Sequence, residues 1–400
     1  MVTGHGVVTS IGTGVEKFWP EIKRGACGID EIQAFSTDDL RCKIAGEALD
    51  FDPKTHVESR SVRMADRYSQ FAGAAATEAV RQAKLEAPFS DGLRASSIIG
   101  TGIGGMTTFE KSYYALFVEK KKATHPLTLL RTIGSSAAAH ISIEYGIKGP
   151  TFGVVSACST ATHAIGLTVQ MIRGGLIDLG IAGATEASLT WGAMRAWQAL
   201  HVLSSEGCFP FSNKRNGTVL AEGGGVLVLE DYEHAKERDA PILAEILGFG
   251  MTADAADMVN PDIDGASTAM KLALDDADLA PADIDYISAH GTATKINDAN
   301  ETNAIKKVFG NSAKDVSISS TKSMHGHCLG GSGAVEASVS IKAIEDNFVP
   351  ATINLEEADP QCDLDFTPNE GRHKEVNYVL SNSFAFGGLN AVLVFGPPPA

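Results

Sequence analysis

The feature that most constrains this chain is an alternation of short β-branched runs, most of them ending in Gly, Ala or Ser, with longer Ala-rich stretches. The runs are SSIIGTG, TFGVVSA, DLGIAGA and GVLVLE, then ILAEILGFG, IDYISAHG, DVSISS and NAVLVFG. Strands buried on both faces read this way, apolar throughout instead of alternating apolar and polar. Such sheets need helical covers, and the sequence predicts helices over about residues 68–84, 135–145, 160–173, 266–277, 298–309 and 332–345. The class is α/β with largely layered sheets, and connections that carry chemistry belong at strand ends.

A charged segment, EDYEHAKERDAP (230–241), is expected to be a helical connection between two halves, 1–236 and 237–400. Each half holds a strand, a small-residue turn and an apolar helix: GVVSAC before STATHAIGLTVQMIR, and VSISSTKSMHGHC before LGGSGAVEASVSIKAI. That shared pattern hints at internal duplication. A hydrophobic content of 44% over 400 residues supplies a buried core. Acidic residues outnumber basic ones 49 to 33, for a net charge of −16, and no long basic run occurs, so nucleic acid is not an expected partner. No apolar run approaches the roughly 20 residues of a membrane helix, and MVTGHGVVTS does not read as a secretion signal. A cytoplasmic protein without membrane insertion is expected. Six cysteines without a C-x-x-C pair make neither a disulfide framework nor a structural zinc site, and no metal is expected.

Three strand-end clusters carry reactive groups. Cys158 follows TFGVVSA and precedes a helix with the stripe Ala161, Ile165, Val169 and Ile172. A thiol at a helix N-terminus is stabilised as thiolate, so its pKa is expected below the ordinary value; the competing reading is a small buried apolar residue. In AHGTATKINDANE, His290 ends a strand and can donate a hydrogen bond into a cleft, or simply be a satisfied loop histidine. Asp298 and Glu301 fall where the next helix is expected to begin, and capping accounts for them there. In SSTKSMHGHCLGGSGAVEA, Lys322, His325 and His327 share a Gly-rich turn. The lysine precedes the glycines, so no phosphate-binding loop is present; beside histidines it would keep an imidazole neutral and supply charge to a developing anion. A fourth cluster, SNSFAFGGLN (381–390), breaks at Gly387-Gly388, which lets backbone N–H groups approach a ligand.

SACSTATHAIG, AHGTATKINDANET, STKSMHGHCLGGSGAVE and SNSFAFGGLN closely resemble the active-site segments of the β-ketoacyl-carrier-protein synthases I and II, and the resemblance runs from VTGHGVVTSIG to NAVLVFG. LTWGAMRAWQAL and STKSMHGHCLG are most similar to the rhizobial nodulation-type ketosynthases. The resemblance implies a thiolase-like duplicated fold with a five-layered αβαβα core, a homodimer, and acyl carrier protein, acyl- and malonyl-loaded, as partner. It implies Cys158 as nucleophile, His290, His327 and Lys322 as its catalytic companions, and the N–H groups of Cys158 and Phe386 as oxyanion hole. His325 falls at a non-catalytic position. Thr292 and Thr294 would contact the phosphopantetheine arm, Ile103, Phe384 and Phe386 would bound the acyl pocket, and Asp298, Glu301 and Glu336 would support the site. No organic cofactor or catalytic metal is implied; related enzymes can hold a structural monovalent cation near the C-terminal motifs.

Arg60, Arg63, Arg67 and Lys120 to Lys122 are candidates for carrier docking. Lys295, Phe209, Ala385 and Leu389 depart from the common pattern, where Pro, Arg, Gly and Thr are usual. Two further readings stay open: a nodulation- or polyketide-type ketosynthase using an unusual acyl chain, and a non-catalytic chain-length partner, which Cys158 opposes. A degradative thiolase wants a second reactive cysteine that SFAFGGLN lacks.

Overall fold

A computed structural model describes residues 1–56 and 63–399. The first half forms a six-stranded sheet from β1 (Val2–Thr9), β2 (Gly12–Thr13), β3 (Ala95–Gly100), β4 (Thr151–Phe152), β5 (Leu179–Glu186) and β6 (Gly223–Glu230). The second half forms a five-stranded sheet from β7 (Glu245–Ala253), β8 (Tyr286–Ser288), β9 (Ser317–Ser319), β10 (Val379–Ala385) and β11 (Leu389–Gly396). Without the edge strand β2, the orders β1-β6-β5-β3-β4 and β7-β11-β10-β8-β9 correspond position by position. Directions correspond as well, with two antiparallel pairings followed by two parallel ones in each sheet. The duplication hinted at by pattern is present in the topology.

The longer helices are α1 (Val15–Lys23), α2 (Arg67–Gln82), α3 (Met106–Phe117), α4 (Ser136–Tyr145), α5 (Thr160–Arg173), α6 (Trp191–Ala199), α7 (Ile263–Asp276), α8 (Lys295–Phe309) and α9 (Ser332–Asp346). Helices α2 and α4 cover the outer face of the first sheet, α7 with α8 beside it covers the second, and α5 and α9 lie between the sheets in contact with both. Five layers, αβαβα, result. A helix between two sheets must be apolar on every side, and α9 is buried along nearly its whole length with Gly, Ala, Ser and Val carrying most of it. Close approach of strand to outer helix is repeated in both halves. A Cβ on Gly4 of β1 would stand 2.0 Å from the Ala79 carbonyl of α2, and one on Gly248 of β7 would stand 2.1 Å from the Ala273 carbonyl of α7.

Two expectations need correction. Only Tyr232–Glu237 of the charged segment is helical, because Glu230 still belongs to β6 and the left-handed Asp239 (φ +54) turns the chain toward β7. Helix α8 begins at Lys295, a turn earlier than expected, with Thr294 as its N-cap residue. Among the described residues, no helix is long and apolar enough to cross a membrane.

Candidate active site

Cys158 stands in a one-turn 3-10 segment, Ala157–Ser159, between β4 and α5. Ala157 adopts φ +48, a conformation that costs a non-glycine residue roughly 1 kcal/mol or more, so its surroundings must hold the turn. The hydroxyls of the STAT run do so. Thr160 Oγ1 donates to the Ala157 carbonyl at 2.7 Å and accepts from the Ser156 N–H at 2.9 Å. Ser159 Oγ donates across to the carbonyls of Ser383 and Leu389, at 2.9 and 2.7 Å, and Thr162 Oγ1 shares a 2.7 Å bond with Ser383 Oγ. Ser383 and Leu389 flank the turn that carries Phe386, so the nucleophile and that turn are indexed to each other.

His327 follows the short helix Lys322–His325 and the left-handed Gly326. Its N–H donates to the Val219 carbonyl at 2.7 Å and its carbonyl accepts from the Ala221 N–H at 2.9 Å. Nε2 lies 3.1 Å from Cys158 Sγ, and Nδ1 lies 2.8 Å from Ser332 Oγ at the start of α9. His290 follows β8; its N–H and that of Gly291 each donate to one oxygen of Glu301 at 2.8 Å, and its carbonyl accepts from Lys322 Nζ at 2.6 Å. The two imidazoles meet edge to face with centroids 5.5 Å apart. A ring nitrogen of each and Cys158 Sγ lie within 4.8 Å of one another. Among the described residues this is the one His, Cys, Asp or Glu group spaced to hold a metal ion, and its two imidazoles and thiol suit a soft divalent cation.

Electrostatics decide the resting protonation. Burial, reinforced by the Lys322 ammonium, holds His290 and His327 well below the ordinary imidazole range, so both are neutral at pH 7. Burial pushes the Cys158 thiol up to about 12, with Lys322 pulling partly the other way. This corrects the expectation of a lowered thiol pKa: the turn does lead into a helix N-terminus, but Cys158 is only 6% exposed and desolvation of a thiolate outweighs the dipole. The resting pair is a neutral thiol against a neutral imidazole. Lys322 is itself fully buried, paired with Glu336, whose second oxygen has no partner. His325 is turned aside, with Nε2 on Thr321 Oγ1 at 3.1 Å.

The capping account of Asp298 and Glu301 is wrong. Asp298 reaches the Phe211 N–H at 2.8 Å, and burial pushes its carboxyl up to about 7; Glu301 braces the His290 turn and accepts from Asn382 Nδ2 at 3.1 Å. Both point inward because α8 lies against the interior, which its sequence spacing did not reveal. Cys158, His290 and His327 open onto a cavity of about 370 Å³ that Thr292, Thr294, Phe384 and Phe386 also line. The Thr292 and Thr294 hydroxyls are 3.0 Å apart. Ile103 is not brought to this cavity: it is 38% exposed on the turn after β3, where the buried Glu186, pushed up to about 7 by desolvation, accepts its N–H at 3.3 Å and that of Gly102 at 2.6 Å. Sequence reasoning missed Ser159, Glu186, Ser332 and Trp197, whose indole stacks on Phe386 with centroids 6.0 Å apart. The polar run after Cys158 and the aromatics of LTWGAMRAWQAL were the available signals.

A duplicated five-layered fold with a cysteine and two histidines converging at the inter-sheet helices defines a thiolase-like condensing enzyme. The family models for the β-ketoacyl synthase N-terminal and C-terminal domains match residues 1–235 and 243–356. Nodulation protein E of Rhizobium sp. (strain N33) is 42% identical over 395 residues, 99% of this chain and 98% of that protein. The 3-oxoacyl-[acyl-carrier-protein] synthase 2 of Staphylococcus aureus (strain COL) is 40% identical over 402 residues, 99% and 97% respectively. A solved type II PKS acyl-carrier protein in complex with its ketosynthase superposes with TM-score 0.89 at 34% identity, over 99% of this chain and 98% of that one. The chain belongs to the β-ketoacyl synthase family and is a condensing enzyme of the acyltransferase kind.

Proposed function

We propose that the enzyme elongates fatty acyl chains by decarboxylative condensation of malonyl-carrier protein with an acyl group held on Cys158. The observation that carries this is Nε2 of His327 at 3.1 Å from Sγ, with a second neutral histidine in the same cavity. Cys158 gives its proton to Nε2 and attacks the acyl thioester; the C–S bond to the carrier breaks and an acyl-enzyme remains. The N–H groups of Cys158 and Phe386 would receive the oxyanion. Malonyl-carrier protein then enters, His290 and His327 donate to its thioester carbonyl, carbon dioxide leaves, the enolate carbon attacks the acyl carbon, and the C–S bond to Cys158 breaks, its thiolate recovering a proton from water in the open cavity. Lys322 reinforces the burial that keeps both imidazoles neutral, and it fixes the His290 carbonyl. Thr292 and Thr294 suit the arm, and Phe384 and Phe386 the acyl chain.

The reaction needs no organic cofactor. A structural monovalent cation would suit Asn382, whose buried Oδ1 lacks a donor beside the Glu301 carboxylate. For carrier docking, Arg63 and the exposed Lys120 to Lys122 remain candidates; Arg67 is engaged by Glu222, with its Nε at 2.8 Å, and Arg60 lies outside the described residues. A homodimer is supported by the open edge at β4 and by α3, a helix with no buried residue that exposes Tyr113, Tyr114 and Phe117. A cytoplasmic location is part of the proposal, because a compartment that keeps thiols reduced preserves Cys158 as a free thiol. We divide the chain at 236/237, with the nucleophile in one half and both histidines in the other. A specialised, nodulation-type substrate is the second reading, favoured by the Trp197–Phe386 stack at the cavity wall. Intact-mass analysis of wild type and Cys158→Ala with a panel of acyl-carrier proteins tests the proposal: a mass gain in wild type alone supports it and reveals the chain, and no gain with any donor refutes it.

A further inference from the structure

Three soft ligands meet at the end of the cavity. Cys158 Sγ and one ring nitrogen each of His290 and His327 lie within 4.8 Å of one another, and the edge from Sγ to His327 Nε2 is 3.1 Å. A tetrahedral zinc ion, with bonds of about 2.3 Å to sulfur and about 2.0 Å to nitrogen, sets its ligand atoms roughly 3.4–3.6 Å apart. Closing the triangle therefore asks for side-chain movements of about 1 Å. The surroundings suit a metal. Ser332 Oγ, 2.8 Å from His327 Nδ1, can accept from Nδ1–H and leave Nε2 bare, which is the outer contact a ligating histidine takes. His290 is 2% exposed, and among the described residues its Nδ1 has no partner, so no hydrogen bond commits that edge of the ring. The Lys322 ammonium is paired with Glu336, which spares an incoming cation an uncompensated positive neighbour. Entry is through the cavity of about 370 Å³, whose lining includes the polar side chains of Thr292, Asn216 and Asn297.

We propose that Cys158, His290 and His327 form an inhibitory zinc site, holding one Zn²⁺ by a thiolate and two neutral imidazoles with a cavity water as fourth ligand. In forming it the Sγ–H bond breaks, the proton leaves to water in the open cavity, and the Sγ–Zn bond takes its place. The ion sheds all but one of its waters, and neither imidazole changes its proton count. Magnesium and calcium prefer oxygen ligands, so a thiolate and two imidazoles select against them. The zinc is an inhibitor and not a catalyst, because it occupies the nucleophile and both histidines at once. The site rests on this geometry alone. Its mutual exclusion with acylation rests on the role proposed above for Cys158: a zinc-bound thiolate is withheld from the thioester, and a thioester sulfur does not replace a thiolate ligand.

Zinc chloride on the wild-type enzyme tests this without any variant. Alkylation of Cys158 by iodoacetamide, followed by peptide mapping, should slow by about tenfold or more in micromolar free Zn²⁺ and recover on adding EDTA. A large excess of Mg²⁺ should not protect, and the exposed Cys27, mapped in the same digest, should react at an unchanged rate. Titration against a chromogenic chelator should give zinc affinities about a hundredfold weaker in Cys158→Ala, His290→Phe and His327→Phe than in wild type, since losing even an outer contact costs a metal site tenfold to a hundredfold. Co²⁺ in place of Zn²⁺ should show a thiolate-to-metal charge-transfer band that Cys158→Ala abolishes. Unprotected Cys158 in wild type, protection that persists at full strength in both histidine variants, or cobalt bound without a thiolate band each overturn the proposal. Acyl-carrier proteins that leave no mass on wild type while zinc still protects would instead overturn the acylation role of Cys158 and leave the zinc site standing.

Discussion

Replacing Lys322 with Met tests how the site keeps a buried cation. Lys322 and Glu336 are 0% and 1% exposed, and the ammonium also holds the His290 carbonyl at 2.6 Å. Deleting one partner of a buried ion pair leaves the other uncompensated, which costs about 3–5 kcal/mol. Glu336 can relieve part of that by taking a proton, since burial already pushes its carboxyl above the ordinary range against the pull of Lys322. The variant should therefore be least destabilised near pH 6 and most near pH 8, as measured by urea unfolding at both. Adding Glu336→Gln removes the stranded charge, so the double variant should regain about half the lost stability and lose the pH dependence. Condensation should not return with it, because the double variant still lacks the ammonium that holds the His290 carbonyl at 2.6 Å. A single variant within about 1 kcal/mol of wild type at both pH values, or a double variant no more stable than the single, would refute this reasoning.

Other expectations concern single contacts. Glu301→Gln turns an amide N–H toward the N–H of His290 or Gly291 and should cost about 2–3 kcal/mol, with malonyl decarboxylation falling more than Cys158 acylation in the same preparation. His5 is fully buried with neither ring nitrogen bonded, and desolvation lowers its pKa to about 3. Its folded value lies below the unfolded one, so stability is lost as pH falls from 6.5 toward 3, by about 1.4 kcal/mol per unit from this group; His5→Leu should flatten the acid limb of unfolding by that slope. Gly388 adopts φ +67, and a Cβ there would lie 2.5 Å from Asp254 Cβ, so Gly388→Ala should lower the melting temperature and displace Phe386, read as slower acylation. Trp197→Ala removes an aromatic stack worth about 0.5–1.5 kcal/mol and should change acylation rates by severalfold in a chain-length-dependent way across the carrier panel.

The layered α/β class, the duplication and the three reactive clusters were legible in the sequence, because burial on both faces writes continuous apolar runs and chemistry at strand ends writes short polar motifs. Local sequence could not give the direction of the Cys158 pKa shift. A helix N-terminus is visible in a string of letters, but the desolvation that opposes it comes from elements distant in the chain. Asp298 and Glu301 show the same limit: their positions in a helix are local, while their partners Phe211 and Asn382 lie 87 and 81 residues away. What the sequence determined was which groups exist and on which elements they ride. What only the tertiary structure decided was which of them meet, how dry the meeting place is, and therefore that the thiol and both imidazoles rest neutral until substrate arrives.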